Sequence, residues 1–287
     1  MDNPPNVWIT GAGGLIGHAL GQRSSHFHEP RRLIPLQRSD LDLRDRAQIE
    51  RRLEKEKPTV VLHCAAISKN PACTADPLLA RQVNVSSTRL LADWCAAEGS
   101  QLVFLSTDLV FDGRQGGYTE LDDVNPLSVY AETKVAAEEA VLDHPQHLVL
   151  RLSLNGGRSP TGDRGFNEDM GLAWARGRTL DLFTDEFRCP IAAKVTADAI
   201  WELVGLKESG LYHLCGAERL SRHQIGELLA SIHPELSPKI SPGSLVDYAG
   251  PPRSPDTSMD CAKVAPLLSF ALPRFTEWVG LHGRHEF

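Results

Sequence analysis

Residues 6–17 read NVWITGAGGLIG, and this stretch decides the fold class. An apolar run over 6–10 passes directly into three glycines spaced G-x-x-G-x-x-G. The first glycine allows a tight turn, the second lets the backbone approach a pyrophosphate, and the third lets a helix pack on the strand. A turn without a ligand is the alternative, but its place between strand and helix favours a dinucleotide. The expected cofactor-binding residues here are Gly11, Gly14, Leu15, Ile16 and Gly17.

Outward from this turn, short apolar runs alternate with segments rich in Ala, Leu, Glu and Arg. The runs predict strands at 6–10, 31–36, 59–65, 101–107 and 147–153. The intervening segments predict helices at 14–22, 45–55, 75–98 and 128–143. Strands that are apolar throughout are buried on both faces, and strand–helix repetition requires right-handed crossovers. The sequence therefore predicts an α/β fold with a doubly wound parallel sheet of the Rossmann type.

The regular alternation ends near residue 153, and loops rich in Gly and Pro then separate shorter helices, predicted at 221–231 and 274–281. We expect residues 1–153 to form an NADP-binding domain, to which parts of 180–210 return. We expect residues 154–287 to form mainly a smaller substrate-binding domain. It would cover the carboxyl edge of the sheet, where ligands bind in such folds.

The composition limits the partners. Lys and Arg number 30 against 37 Asp and Glu, a net charge of −7, which argues against broad binding to nucleic acid or an anionic membrane. The start MDNPPNVWITG has neither the cationic nor the apolar region of a leader, and no run of 18 apolar residues occurs, which predicts a cytoplasmic protein. Six cysteines without C-x-x-C spacing indicate reduced thiols, and the histidines have no metal spacing.

The end of the second predicted strand indicates which dinucleotide is bound. An acidic residue there would hold the ribose hydroxyls of NAD, whereas an arginine suits the 2′-phosphate of NADP. Residues 36–43 read LQRSDLDL, so Arg38 and Ser39 stand where the carboxylate would be. We expect Arg38 to bind a phosphate, with a solvated surface arginine as the alternative. Asp42 and Leu43 are expected at the adenine edge.

A hydroxyl pair and a Tyr–Lys pair predict the chemistry. Ser106 and Thr107 end the strand over 101–107, where a hydroxyl either holds a substrate oxygen or caps the strand. Tyr130 and Lys134 lie one turn apart on one face of a helix. Beside a strand-end hydroxyl, this tyrosine is a candidate proton donor to a carbonyl oxygen, and the lysine ammonium is expected to lower the tyrosine pKa. The same lysine could bond the nicotinamide ribose. A packed tyrosine beside a solvated lysine is the alternative.

Six stretches carry a resemblance to a known family: TGAGGLIG, HCAAIS, VNV, STDLVFDG, NPLSVYAETKVAAEE and FTDEFRCP. The chain resembles the extended short-chain dehydrogenase/reductases and is most similar to their dTDP-4-dehydrorhamnose reductase branch. The resemblance implies that Thr107, Tyr130 and Lys134 are catalytic, with Tyr130 protonating the oxygen of a 4-keto sugar as NADPH delivers hydride. It also implies that Ala65 and Ala66 line the cofactor and that Asn84 supports the strand edges.

Two departures from that branch concern the substrate. Leu154 stands where the branch has a tryptophan, and the loop KNPACTADP (69–77) lacks the usual acidic pattern. We therefore expect a nucleoside diphosphate sugar other than dTDP-4-keto-rhamnose. Arginines of the second domain are candidates for its diphosphate, and Arg188 is the favoured one; the set is Arg176, Arg178, Arg188 and Arg253. The expected substrate residues are Ser106, Leu154, Arg188 and Arg253.

Three functions remain open from the sequence. The favoured one is an NADP-dependent reductase of a nucleotide-linked 4-keto sugar, with NAD(H) as the alternative cofactor and a homodimer as the usual assembly. The second is a nucleotide-sugar epimerase or dehydratase. The third is a non-catalytic, NADP-binding regulatory subunit like the beta subunit of methionine adenosyltransferase. The intact Thr107, Tyr130 and Lys134 favour an enzyme.

Overall fold

The structure is a computed structural model that describes residues 4–24 and 31–287; residues 1–3 and 25–30 of the predicted first domain lie outside the described residues. The strands are β1 (Asn6–Thr10), β2 (Arg32–Leu36), β3 (Val60–His63), β4 (Gln101–Thr107), β5 (Leu148–Leu152), β6 (Asn155–Gly156), β7 (Thr179–Phe183), β8 (Phe187–Arg188), β9 (Ile191–Ala192), β10 (Gly210–Leu214), β11 (Leu220–Ser221) and β12 (Lys239–Gly243). The helices are α1 (Leu15–Arg23), α2 (Arg46–Glu56), α3 (Asn70–Ala75), α4 (Pro77–Arg81), α5 (Ser87–Ala97), α6 (Val129–Leu142), α7 (Phe166–Ala175), α8 (Ala193–Leu206), α9 (Arg222–Ile232) and α10 (Phe275–Glu286).

Six parallel strands form the central sheet, in the order β10-β5-β4-β3-β1-β2. The predicted doubly wound parallel sheet is therefore confirmed. Because β2 and β3 lie on opposite sides of β1, the chain changes direction beside the carboxyl end of β1. Ligands of such sheets bind in the crevice at this point, outside the carboxyl ends of the strands.

Helices cover both faces of the sheet. On β1, Val7 and Ile9 point into a core that includes residues of α1 and α8, while Trp8 points into a second core with α2, α5 and α6. All three side chains are fully buried. This two-sided burial explains why the strand sequences are apolar throughout rather than alternating.

The helix predicted over 75–98 is interrupted. Between α4 and α5 the chain forms a π-helical turn over Gln82–Ser86. Here the Ser87 hydroxyl bonds the carbonyl of Val83, and the Thr88 hydroxyl bonds that of Asn84. π-helical turns are rare and are frequently found at functional sites. The turn directs the buried Asn84 amide at the loop that follows β3, with which it makes two hydrogen bonds.

The second half of the chain builds three two-stranded pairs, β6–β9, β7–β12 and β8–β11, around a third apolar core with α7, α9 and α10. Residues of α8 and β10 return to the first half: α8 packs on α1, and β10 pairs with β5. We propose a division near residue 153, with α8 and β10 belonging to the first domain. No helix within residues 4–24 and 31–287 is both long and apolar enough to cross a membrane.

Candidate active site

The turn after β1 requires glycine at two positions. Gly11 has φ +68°, a conformation that residues with a Cβ rarely adopt, and a Cβ there would lie 2.8 Å from the backbone nitrogen of Ala65. A Cβ on Gly17 would lie 2.9 Å from the carbonyl carbon of Gly11, so any side chain would push α1 away from β1. The backbone therefore crosses the edge of the sheet as closely as the glycine pattern predicts.

The amino terminus of α1 opens at this turn. Its N-cap residue, Gly14, has no side chain to bond the first N–H groups, and the first turn of the helix contains no acidic residue. Such free N–H groups, with the helix dipole, bind phosphate. The free N–H groups at the start of α1 suit the pyrophosphate of a dinucleotide, and the tight turn at Gly11 lets the backbone approach it. Leu15 is buried against the sheet, and Ile16 is partly buried in the same core.

The strand ends below the turn are held together by buried polar groups. The Thr10 hydroxyl lies 2.7 Å from Nδ1 of His63 and accepts a hydrogen bond from the backbone N–H of Ala65. Burial lowers the pKa of His63 to about 3, so this ring is neutral at pH 7. Ala65 and its neighbour Ala66 are half-buried, and the backbone of Ala65 lies directly beside Gly11.

The end of β2 offers a free cation. Arg38 and Ser39 are both exposed, and within the described ranges the Arg38 guanidinium makes no hydrogen bond or ion pair. The nearest carboxylates are already bound. Asp40 accepts from the backbone N–H of Gln37, and Asp42 is bound to Arg44, which lowers the pKa of Asp42 to about 2. Leu43 packs against the second core.

Asn84 connects the loop after β3 to the start of α6. Its amide bonds both the N–H and the carbonyl of Ile67, and it also donates to the Thr133 hydroxyl at 2.9 Å. Thr133 in turn donates to the carbonyl oxygen of Tyr130 at 2.7 Å. The position of the Tyr130 backbone is therefore coupled to the loop that carries Ala65 and Ala66.

Tyr130, Lys134 and Thr107 meet at the carboxyl edge of the sheet. Ser128 caps α6 through its hydroxyl, and Tyr130 is half-buried in the first turn. Lys134, one turn later, is buried, and its Nζ donates to the carbonyl of Leu105 at 2.5 Å and lies 3.8 Å from the centroid of the Phe104 ring. Thr107 ends β4, and its hydroxyl lies close enough to the Tyr130 phenol to influence its pKa.

The prediction that Lys134 lowers the pKa of Tyr130 is wrong in this structure. Burial, followed by the negative charge of Asp108, raises the pKa of Tyr130 above its ordinary value, and the Thr107 hydroxyl opposes them only in part. Burial also lowers the pKa of Lys134 to about 7, against the charge of Glu138. Lys134 therefore gives up its proton far more readily than an exposed lysine does, while Tyr130 keeps its proton.

Ser106 faces away from the proposed substrate position. Neighbouring residues on a strand point to opposite faces, so Ser106 and Thr107 cannot share one site. The Ser106 hydroxyl bonds the Glu138 carboxylate, which also pairs with Arg151 at 2.7 Å. All three side chains are buried. The expectation that Ser106 contacts the substrate is therefore corrected: its hydroxyl belongs to a buried ion-pair network beneath Lys134.

Arg188 is also engaged inside the protein. Its guanidinium bonds Glu186 at 3.1 Å, Asp108 at 3.4 Å and the Thr257 hydroxyl, and the side chain is buried. Arg253 pairs with the same Glu186 at 2.7 Å. Arg188 is therefore already paired with two carboxylates, which sequence reasoning did not foresee, and its expected contact with a diphosphate stays a prediction. Arg176 and Arg178 are exposed at the end of α7.

Sequence reasoning missed two residues of this region. Asp108 directly follows Thr107, is buried, and accepts from the hydroxyls of Ser153 and Thr257. Its position directly after β4 could have indicated a site residue, because ligands bind at the carboxyl ends of such strands. Arg222 begins α9, and no local pattern indicates that it lies near Glu186 and Asp108. Leu154 packs against the third core and presents no aromatic face.

A glycine turn opening α1 and a Tyr–Lys pair on α6 beside the end of β4 define a short-chain dehydrogenase/reductase of the extended type. The chain belongs to the family described as "RmlD substrate binding domain", whose model matches residues 5–282.

Three relatives illustrate this family. The chain is 30% identical, over 93% of each protein, to a probable low-salt glycan biosynthesis reductase, Agl14, of Haloferax volcanii. It is 30% identical to dTDP-4-keto-6-deoxy-D-glucose reductase of Streptomyces niveus, over 83% of this chain and 84% of that protein. It is 27% identical to methionine adenosyltransferase 2 subunit beta of Rattus norvegicus, over 91% and 82%.

Among solved structures, the fold is similar to that of dTDP-4-dehydrorhamnose reductase from Bacillus anthracis in complex with NADP. The TM-score is 0.87 at 21% identity, over 97% of this chain and 98% of that one. At this identity the likeness concerns the fold.

Proposed function

We propose that this protein is an NADP-dependent reductase of a nucleotide-linked 4-keto sugar. The observation that carries the proposal is the convergence of Thr107, Tyr130 and Lys134 at the edge of the sheet where the glycine turn opens. A proton donor, a second hydroxyl and an amine there suit the reduction of a carbonyl. The two reductases among the relatives support the reaction class.

The residues that would hold NADPH come from three strand ends. The N–H groups at the start of α1 would bind the pyrophosphate, and Arg38 with Ser39 would bind the 2′-phosphate. The backbone of Ala65 and Ala66 would line the cofactor. NADPH, when bound, supplies the hydride.

The residues of the chain supply the proton and the orientation of the carbonyl. Thr107 and Tyr130 would bond the keto oxygen, and the proton would pass from Oη of Tyr130 to that oxygen. Because burial and Asp108 keep Tyr130 protonated, the phenol is in the state that donation requires. The phenolate left by this step needs a nearby cation, and Lys134, one turn away, is suited to that role and to a bond with the nicotinamide ribose.

Tyr130→Phe tests this assignment. We expect NADPH affinity within a few-fold of wild type and turnover of a 4-keto sugar reduced by about 10²–10⁴-fold, because only the proton donor is removed. Tyr212→Phe is the matched control, since Tyr212 lies on β10 and its phenol donates to the Glu208 carboxylate, away from the site. Wild-type turnover in Tyr130→Phe, on a substrate that the protein reduces, would refute the catalytic role.

A regulatory subunit is the second candidate, favoured by the match to methionine adenosyltransferase 2 subunit beta. It predicts NADP binding without turnover, together with stable association with a transferase. We also propose a homodimer, from the family resemblance, and a cytoplasmic location, from the sequence pattern of the N-terminal residues. Light scattering of the purified protein would test the dimer, and a monomeric mass would reject it.

A further inference from the structure

Five charged side chains meet beside the catalytic residues: Asp108, Glu186, Arg188, Arg222 and Arg253. Both carboxylates are paired with arginines. Arg188 bonds both Asp108 and Glu186, and Arg253 bonds Glu186 through two of its nitrogens. This arginine cluster therefore has three guanidiniums for two carboxylates and lacks one negative charge.

Arg222 is the member without a partner for its side chain. Its backbone N–H is fixed to the carbonyl of Glu186 at 2.8 Å, but within the described ranges its guanidinium makes no hydrogen bond or ion pair. Its contact is with the face of Phe166, 5.7 Å from the ring centroid. Burial, together with the charges of Arg188 and Arg253, lowers the pKa of Arg222 to about 10, although the negative charge of Glu186 opposes this shift.

This arrangement is unfavourable without an anion. A half-buried guanidinium loses hydration for its five donors, which then need other partners. Arg222 is also the first residue of α9, where the helix dipole disfavours a cation and favours an anion. Since none of its nitrogens is among the enclosed unpaired atoms of the described chain, the guanidinium remains accessible to a ligand.

The arginine cluster lies between the catalytic residues and an aromatic pair. At one end Asp108 follows Thr107, and its segment packs against α6, which carries Tyr130. At the other end the Arg253 guanidinium lies 5.3 Å from the ring of Phe183 and 5.8 Å from that of Tyr248. The Tyr248 side chain is exposed. The arginine cluster therefore lies between the phenol of Tyr130 on one side and the rings of Phe183 and Tyr248 on the other.

We propose that Arg222 binds the diphosphate of the substrate, with the keto sugar directed at Tyr130 and the nucleobase against Tyr248. The inference rests on the proposed function and assigns the anion site to a residue other than Arg188. In a nucleoside diphosphate sugar the diphosphate lies between the sugar and the nucleobase, just as the arginine cluster lies between Tyr130 and the aromatic pair. Phe183 and Tyr248 also supply the aromatic surface that Leu154 lacks.

Calorimetry on the NADPH complex tests the proposal, with dTDP, UDP and inorganic pyrophosphate as probes. Arg222→Gln should weaken all probes that bind by about ten- to a hundredfold, and Arg222→Lys should restore part of the affinity. Tyr248→Ala should weaken the nucleotides several-fold and leave pyrophosphate unchanged. Arg219→Gln is the matched control, because Arg219 loses the same charge but is exposed and paired with Asp256.

The outcomes separate this inference from the proposed function. If wild type binds a nucleotide and Arg222→Gln binds it equally well, the assignment of Arg222 is wrong while the reductase proposal stands. If wild type binds neither nucleotide at millimolar concentration, the nucleotide-sugar function fails, and the inference fails with it. An unchanged NADPH affinity shows that each variant is folded, and Arg222→Lys provides the answer should Arg222→Gln not fold.

Discussion

Lys134→Met should make the protein more stable while abolishing its activity. The unfolded lysine has a pKa of 10.5, and burial lowers the pKa in the folded protein to about 7. At about 1.4 kcal/mol per pH unit, that difference corresponds to about 5 kcal/mol of unfavourable burial below pH 7. The variant also loses the bond to the Leu105 carbonyl and the contact with Phe104, together worth about 2–3 kcal/mol. We expect a net gain of about 2–3 kcal/mol in the free energy of unfolding at pH 7.

The dependence on pH isolates this effect. Between pH 7 and 10.5 the unfolded chain binds one more proton at this lysine than the folded protein does, so the contribution of Lys134 to stability rises with pH. From pH 8 to 9.5, wild-type stability should rise relative to Lys134→Met by just over 1 kcal/mol per pH unit, as about 1.4 kcal/mol multiplied by nearly one proton.

Urea unfolding at several pH values measures this difference. Lys263→Met is a matched control, since Lys263 also donates to a backbone carbonyl, that of Leu211, and lies over a ring, that of Tyr212, but is exposed. Its profile should parallel that of wild type. If the Lys134→Met profile also parallels wild type, Lys134 is charged in the folded protein throughout this range, and the reasoning is refuted.

Two further predictions concern the ligands. Arg38→Ala should lower NADPH affinity by about ten- to a hundredfold and leave NADH affinity unchanged, because it removes a charge-assisted phosphate contact. If calorimetry shows that wild type binds both cofactors equally well, Arg38 does not have this role. The protein should reduce dTDP-4-keto-rhamnose slowly, because Leu154 lacks the stacking face of a tryptophan, worth about 0.5–1.5 kcal/mol; rapid NADPH oxidation with that sugar would show that Leu154 matters little.

Local patterns predicted the elements of the first half well. Continuous apolar runs predicted the five strands to within two residues at each end, and the glycines at 11 and 17 lie where close backbone approach excludes a side chain. The strand β10 was not assigned, because Gly210–Leu214 pairs with β5, which is distant in sequence. The π turn at Asn84 was also missed, since it depends on contacts with Ile67 and Thr133.

The site was less predictable because its charges are paired over long separations in the chain. Arg188 and Asp108 are 80 residues apart in the sequence, and Thr257 and Asp108 are 149 apart. The sequence around Arg188 therefore does not predict that its side chain is already paired. Ser106 is different. Period-two alternation along β4 already indicates that Ser106 and Thr107 face opposite sides, so that error was avoidable from the sequence.

The most direct test of the reductase proposal follows the hydride itself. The protein is incubated with 4-keto-6-deoxy sugars linked to either dTDP or UDP. Two preparations of NADPH are compared, each deuterated at one of the two hydrogen positions of nicotinamide C4. We expect the product sugar to gain one deuterium at its reduced carbon with one of the two labelled cofactors. We also expect this transfer to be lost in Tyr130→Phe. Tight NADPH binding without any deuterium transfer to the sugars would contradict the account and favour the regulatory subunit.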